Sequence, residues 1–215
     1  MTESRVNFPC DDLSIEGVVS VPAGEGHFPA VVVCHPHPLY GGSMDNNVVY
    51  AVCEGLDQAS IAWLRFNFRG VGGSQGVYAN GVGEQDDVAA AISYLSGMAG
   101  VDVRNIGLCG YSFGAGVALQ FAPRDERVKA LALVSPVISS SNHLTDYVKP
   151  KLILSGSADE FAEAGSLQRF AGELPQPNEF ELVNGADHFW GGYEAKVAAR
   201  VADFFDRFLQ SPSVS

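Results

Sequence analysis

Asn105-Ile-Gly-Leu-Cys-Gly-Tyr-Ser112-Phe-Gly-Ala-Gly-Val-Ala-Leu-Gln120 changes character at its middle. Asn105 to Cys109 carries the short apolar run of a buried strand, and Phe113 onward is a run of small and aliphatic residues that suits a helix. Gly114 and Gly116 let that helix pack closely on neighbouring strands. Between the two lies Gly110-Tyr-Ser112-Phe-Gly114. A serine held at a tight strand-to-helix turn of this kind has its hydroxyl lifted above the sheet edge, where it can attack a substrate. The same five-residue pattern occurs as Gly72-Gly-Ser74-Gln-Gly76, so the pattern alone is weak and context decides. Ser74 follows Asn67-Phe-Arg-Gly-Val-Gly-Gly and precedes further loop residues, and it reads as a turn residue.

Outward from this stretch, continuous apolar runs alternate with helical patterns. Strands are expected at 30–34, 61–66, 105–109, 128–134, 151–154 and 180–183, and helices at about 46–59, 84–95, 113–121, 162–172 and 193–209. Two extended segments precede them; Leu13 to Val21 alternates apolar with small or polar residues, as an antiparallel edge ribbon does. In the last helix Val197, Val201, Phe204, Phe205 and Phe208 recur at spacings of three and four and form one core-facing stripe. Strands that are apolar throughout need cover on both faces. The expected fold is therefore α/β: a mostly parallel central sheet of about eight strands with helices on both faces. We read 1–215 as one domain, with 211–215 a disordered tail, and place the functional site in loops at the carboxyl ends of the strands.

Composition excludes several function classes. The 215 residues carry a formal charge of -12. That charge repels phosphate backbones and anionic lipid, so no nucleic-acid or membrane partner is expected. Neither a signal peptide nor an apolar run of spanning length is present, which makes the cytoplasm the expected location. Cys10, Cys34, Cys53 and Cys109 show no Cys-x-x-Cys spacing and read as small buried thiols rather than disulfide or zinc residues.

A serine hydroxyl is a poor nucleophile near neutral pH and needs a base, and on an elbow of this type the acid and then the histidine follow the serine along the chain. His27, His35 and His37 precede Ser112, and His143 precedes the candidate acid. His188, in Asn184-Gly-Ala-Asp-His188-Phe-Trp, follows the last strand and precedes the last helix, so it is the base. Asp159, a few residues beyond the strand at Leu152, is the acid that orients it, with Glu160, Asp146 and Asp187 as weaker alternatives. Charge developing on an attacked carbonyl needs fixed backbone donors. Phe113, next to the serine, offers one N–H. The second comes from Cys34-His-Pro-His-Pro-Leu-Tyr-Gly-Gly42, where Pro36 and Pro38 have none; His37 is favoured, ahead of Leu39 and Tyr40. A metal on His35 and His37 would lack a third ligand at sensible spacing, so neither metal nor cofactor is expected.

Together the strand, His35-Pro-His37-Pro, the elbow, Gly156-Ser-Ala-Asp159 and Ala186-Asp-His188 resemble the α/β-hydrolase superfamily in motif and order across nearly the whole chain. Asn67-Phe-Arg69-Gly70-Val-Gly-Gly-Ser74 is similar to the loop after the next central strand in that superfamily. The nearest resemblance is to small cap-less bacterial hydrolases of the dienelactone-hydrolase-like group. The chain departs from true dienelactone hydrolases in having Ser112 where they carry Cys. The resemblance implies a serine hydrolase of carboxylesterase type with a small-molecule ester as its partner. Acyl transfer, peptide cleavage, a lyase reaction or a non-catalytic binding module are alternatives on the same frame. Between Val134 and Lys151 the chain is too short for a cap domain. A shallow pocket lined by Leu39, Tyr40, Phe113, Phe189 and Trp190, favouring acetyl to butyryl groups, is expected.

Overall fold

The runs that are apolar throughout become the middle of one sheet. The computed structural model describes residues 3–138, 144 and 146–210; the expected tail 211–215 and His143 lie outside them. Among the described residues the strands are β1 (Ser4–Cys10), β2 (Leu13–Ser20), β3 (Phe28–Cys34), β4 (Ala62–Phe66), β5 (Val101–Tyr111), β6 (Val128–Val134), β7 (Lys151–Gly156) and β8 (Asn178–Val183). The helices are α1 (Asn47–Gln58), α2 (Glu84–Ser96), α3 (Phe113–Phe121), α4 (Ala164–Glu173) and α5 (Glu194–Leu209). The sheet order is β1-β2-β4-β3-β5-β6-β7-β8. β2 pairs antiparallel with both β1 and β4, and every other pairing is parallel.

Burial follows position in this order. β4, β6 and β7 lie inside the sheet and are buried almost throughout, whereas edge strand β1 alternates exposed and covered residues and β8 is only half-covered. Alternate residues of each inner strand enter two cores. Val32 and Leu108 pack with residues of α2, α3 and α4 on one face. Val31, Val33 and Cys109 pack with α1 and α5 on the other, where Val197, Val201, Phe204 and Phe205 are fully buried. No helix among the described residues is long and apolar enough to cross a membrane.

Two boundaries differ from the sequence expectation for identifiable reasons. β5 starts at Val101 rather than 105, because a register shift lets Phe28 pair with Val101 ahead of the regular ladder. Asp102 to Asn105 carry no apolar pattern that would have marked this extension. α4 starts at Ala164 rather than 162 because Glu163 caps it, accepting the N–H groups of Gly165 and Ser166, while the N–H groups of Phe161 and Ala162 are drawn to Asp159.

The chain runs from β3 to β4 on one side and then crosses back to β5 on the other, so the order reverses between β3 and β5. The crevice outside the carboxyl ends of such neighbours is where open α/β sheets bind ligands. Two glycines close the backbone around it. A Cβ on Gly110 would lie 2.3 Å from the Gly114 carbonyl oxygen, and one on Gly114 would lie 2.5 Å from that of Cys34. Strand β5, helix α3 and the end of β3 therefore meet backbone to backbone.

All four cysteines are free and buried. Burial pushes the Cys109 thiol up to about 12, and burial together with the Asp87 carboxylate pushes Cys10 up to about 11. Thiolate is therefore scarce at neutral pH, which makes these sulfurs packing atoms rather than reactive ones.

Gly110→Ala forces the elbow and α3 apart. Its urea midpoint is expected to drop by the equivalent of about 1–3 kcal/mol, as overpacking of a tight interior does, with loss of activity at temperatures where the variant is still folded.

Candidate active site

Four loops at the carboxyl ends of β3, β5, β7 and β8 bring the candidate residues together. Ser112 sits between β5 and α3 with φ 54 and ψ -114, a conformation that a side chain rarely adopts. Its own N–H donates to the Val134 carbonyl at 2.9 Å and its carbonyl accepts from Gly116 at 3.1 Å, so the neighbouring strand and the helix hold the strain in place. Ser112 Oγ lies 2.9 Å from His188 Nε2, and His188 Nδ1 lies 2.9 Å from both oxygens of Asp159.

Each member of this chain is fixed from behind. Asp159 Oδ1 also accepts the N–H groups of Phe161 at 2.9 Å and Ala162 at 2.8 Å. Burial alone raises the pKa of this carboxyl. The hydrogen bonds from His188, the Ala162 N–H and the Ser135 hydroxyl outweigh that and hold it below the ordinary value. The acid is therefore ionised at neutral pH, and the Nδ1 facing it carries the proton, which leaves Nε2 to accept from the serine. Tyr111, next to Ser112, donates its hydroxyl to the His188 carbonyl at 2.7 Å and fixes the backbone of His188.

Phe113 opens α3, so its N–H has no intrahelical partner. The His37 N–H likewise donates to no protein group among the described residues. Both residues line a cavity of about 950 Å³ that also holds Ser112 and His188. The His37 ring accepts the Leu39 N–H at Nδ1, so its proton is on Nε2, which donates to the Tyr78 hydroxyl at 3.2 Å. His35 does not join it as a metal ligand. Its Nε2 accepts the Phe68 N–H at 3.0 Å and its Nδ1 donates to the Pro36 carbonyl at 2.6 Å, so neither ring nitrogen is free. Ser74 is equally committed. Its Oγ donates to the Asn67 carbonyl at 2.6 Å and accepts the Glu16 N–H at 2.9 Å, tying its loop to β2.

Of the four loop residues expected to touch substrate, Tyr40 and Phe189 do line the cavity. Trp190 does not, and is a correction: it is wholly buried among residues of β6, α1 and α5, and its Nε1 donates to Ser135 Oγ at 3.0 Å. The sharp turn at Trp190, φ 61, sends successive side chains to opposite sides, Phe189 outward and Trp190 inward. Leu39 is a second correction, since it projects into solvent at 67% exposure and is absent from the cavity wall. The cavity is also larger than the expected shallow pocket. Tyr78, Gly81, Gly116, Gln120, Val137 and Phe161 are among its further lining residues. Only the aromatic character of Tyr78 and Phe161 could have drawn attention to them in sequence.

The model of the dienelactone hydrolase family matches residues 79–210, which include Ser112, Asp159 and His188. The chain belongs to the dienelactone hydrolase family. An uncharacterised protein of Rickettsia prowazekii is 36% identical over 82% of this chain and 78% of its own length. Among solved structures, an α/β serine hydrolase homologue from Coxiella burnetii is 33% identical with a TM-score of 0.85, covering 94% of this chain and 97% of the other. A Xanthomonas campestris protein described as an α/β serine hydrolase without a lid is 26% identical with a TM-score of 0.86, covering 99% of this chain and 98% of its own. The fold is thus that of an α/β hydrolase lacking a lid, and family membership makes the chain a hydrolase.

Two outcomes test the supports behind the site. Ser135→Ala removes a hydrogen bond to the Asp159 carboxylate and leaves the Trp190 N–H unsatisfied; turnover is expected to fall about tenfold with KM little changed, together with a stability loss of about 1.5–3 kcal/mol. Burial holds the His35 pKa down at about 4, against a smaller opposing effect of the Pro36 carbonyl. Above about pH 6.5 both folded and unfolded chains carry this ring neutral. Between there and about 4 only the unfolded chain takes up the proton, so this residue makes stability fall with acid by roughly 3 kcal/mol in all, and no further below. In urea titrations over that range, His35→Asn is expected to show a correspondingly shallower decline.

Proposed function

We propose that this hydrolase cleaves carboxylic esters through an acyl-enzyme on Ser112. The observation that carries the reading is the unbroken line of hydrogen bonds from Ser112 Oγ to His188 Nε2 and from His188 Nδ1 to the buried Asp159, with the serine opening onto the cavity. As Oγ attacks the ester carbonyl, Nε2 takes its proton and Asp159 stabilises the resulting imidazolium. The oxyanion that forms is met by the N–H groups of Phe113 and His37, neither of which is committed elsewhere. Collapse breaks the carbon–oxygen bond to the alcohol, and His188 hands its proton to the leaving oxygen. Water then attacks the acyl-serine, giving one proton to His188; collapse releases the acid, and that proton returns to Oγ. The balance needs water and no cofactor.

Ser112→Ala is expected to abolish covalent labelling by a fluorophosphonate and to cut ester turnover at least about 10³-fold, with His188→Ala close behind and Asp159→Asn somewhat less severe. Ser74→Ala should keep the labelling. Intact-mass measurement plus nitrophenyl ester assays read all four; labelling that survives in the Ser112 variant refutes the proposal.

A further inference from the structure

Three glycines stand at and just after the elbow, and only two have a packing reason. Gly110 and Gly114 have carbonyl oxygens where a Cβ would be. A Cβ on Gly116 would meet nothing within 4 Å, and its backbone is ordinary helix inside α3. Glycine in a helix interior is destabilising relative to alanine, because it gives up more backbone freedom on folding. What a side chain at Gly116 would enter is the cavity, whose wall Gly116 forms.

Phe113, Gly116, Val117 and Gln120 all line the cavity, and their spacing of three and four puts them on one stripe of α3. From Phe113 to Gln120 this stripe runs about 10 Å along the helix axis. Its near side is closed by the loop before α2. Gly81 lies there against the stripe, with its Cβ position 3.7 Å from the Phe113 ring and 3.9 Å from Val117. Glu84, fully buried, pins this loop by accepting the N–H groups of Ala79 at 2.7 Å and Gly81 at 2.8 Å. The groove therefore has a rigid wall and, at Gly116, a floor without a side chain.

We propose that this groove is the acyl subsite, built for an extended apolar acyl group of about eight atoms, and that the bare Gly116 floor is what admits it. The inference rests on the acyl-enzyme reading of Ser112 and fixes which part of the ester goes where. His188 must reach the leaving oxygen, so the alcohol part lies on its side, over Phe161 and Phe189, which are exposed. The acyl part then takes the remaining direction, past Phe113 and along α3. Each methylene covered by apolar wall is worth about fourfold in binding. The gain stops at Gln120 and Asn80, whose carboxamides line the cavity and make no hydrogen bond with protein among the described residues.

The test is kcat/KM for nitrophenyl esters from acetate to dodecanoate below their micellar concentrations, in the native protein, Gly116→Ala and Gly116→Leu, with melting temperatures for each. In the native protein efficiency should rise from acetate to about octanoate by at least about tenfold and then level off. Gly116→Leu should lower the octanoate-to-acetate efficiency ratio at least about tenfold. Gly116→Ala, at least as heat-stable as the native protein, should lower that ratio a few-fold, and it decides the matter if the leucine variant misfolds. An octanoate-to-acetate ratio unchanged in folded variants, or a native profile that already peaks at acetate, overturns the subsite while Ser112-dependent turnover leaves the hydrolase reading standing. Absence of Ser112-dependent turnover of every ester overturns both.

Discussion

The site depends on one backbone contact. Gly114, in the first turn of α3, rests directly on the carbonyl groups that end β3, at a separation that leaves no room for a methyl group. This seats the helix on the sheet at the point where the strand order reverses. With Gly110 similarly pressed against the helix, the residue between strand and helix has no way round except the positive φ that Ser112 adopts. The same contact sets the free N–H of Phe113 beside the loop that leaves β3, where the N–H of His37 is also uncommitted. Two donors that come from distant parts of the chain are in this way brought to one cavity by a single close approach.

Electrostatics are arranged around that frame with little slack. Asp159 accepts two backbone N–H groups besides the imidazole, so a charge taken nearly out of water is compensated on several sides. Ser135 links the carboxylate to the indole of Trp190, which belongs to the core on the far face of the sheet. The orientation of the His188 ring is thus tied to the packing of α1 and α5. Loops that look independent in the chain share the rigidity of the core beneath them.

Much of this was legible in the residues. The inner strands announced themselves because burial on both faces demands unbroken apolar runs, and α5 did so because its stripe has the helical period. The elbow was separable from its duplicate at Ser74 because only one of the two serines joins a strand to a helix. Strand order was not legible, since nothing in the apolar runs says that β4 lies between β2 and β3. Trp190 was misread because a single left-handed residue reverses the direction of a side chain without leaving a mark in composition, and Leu39 because an apolar residue beside a site need not face it. Gly116 was read as a packing glycine like Gly114. Its difference lies in the emptiness around it, which only three dimensions reveal.

The concealment of Cys10, Cys34, Cys53 and Cys109 has a practical consequence. Alkylating reagents and peroxide act on exposed thiolates, and the folded protein offers them none, so a chain that relies on a hydroxyl rather than a sulfur should keep its shape under oxidants that disable thiol enzymes. The four native sulfurs then become a silent internal gauge. Their uptake of a maleimide reports opening of the two cores, and a single cysteine introduced at the exposed rim residue Phe161 would take up a spectroscopic tag with no competition from the rest of the molecule.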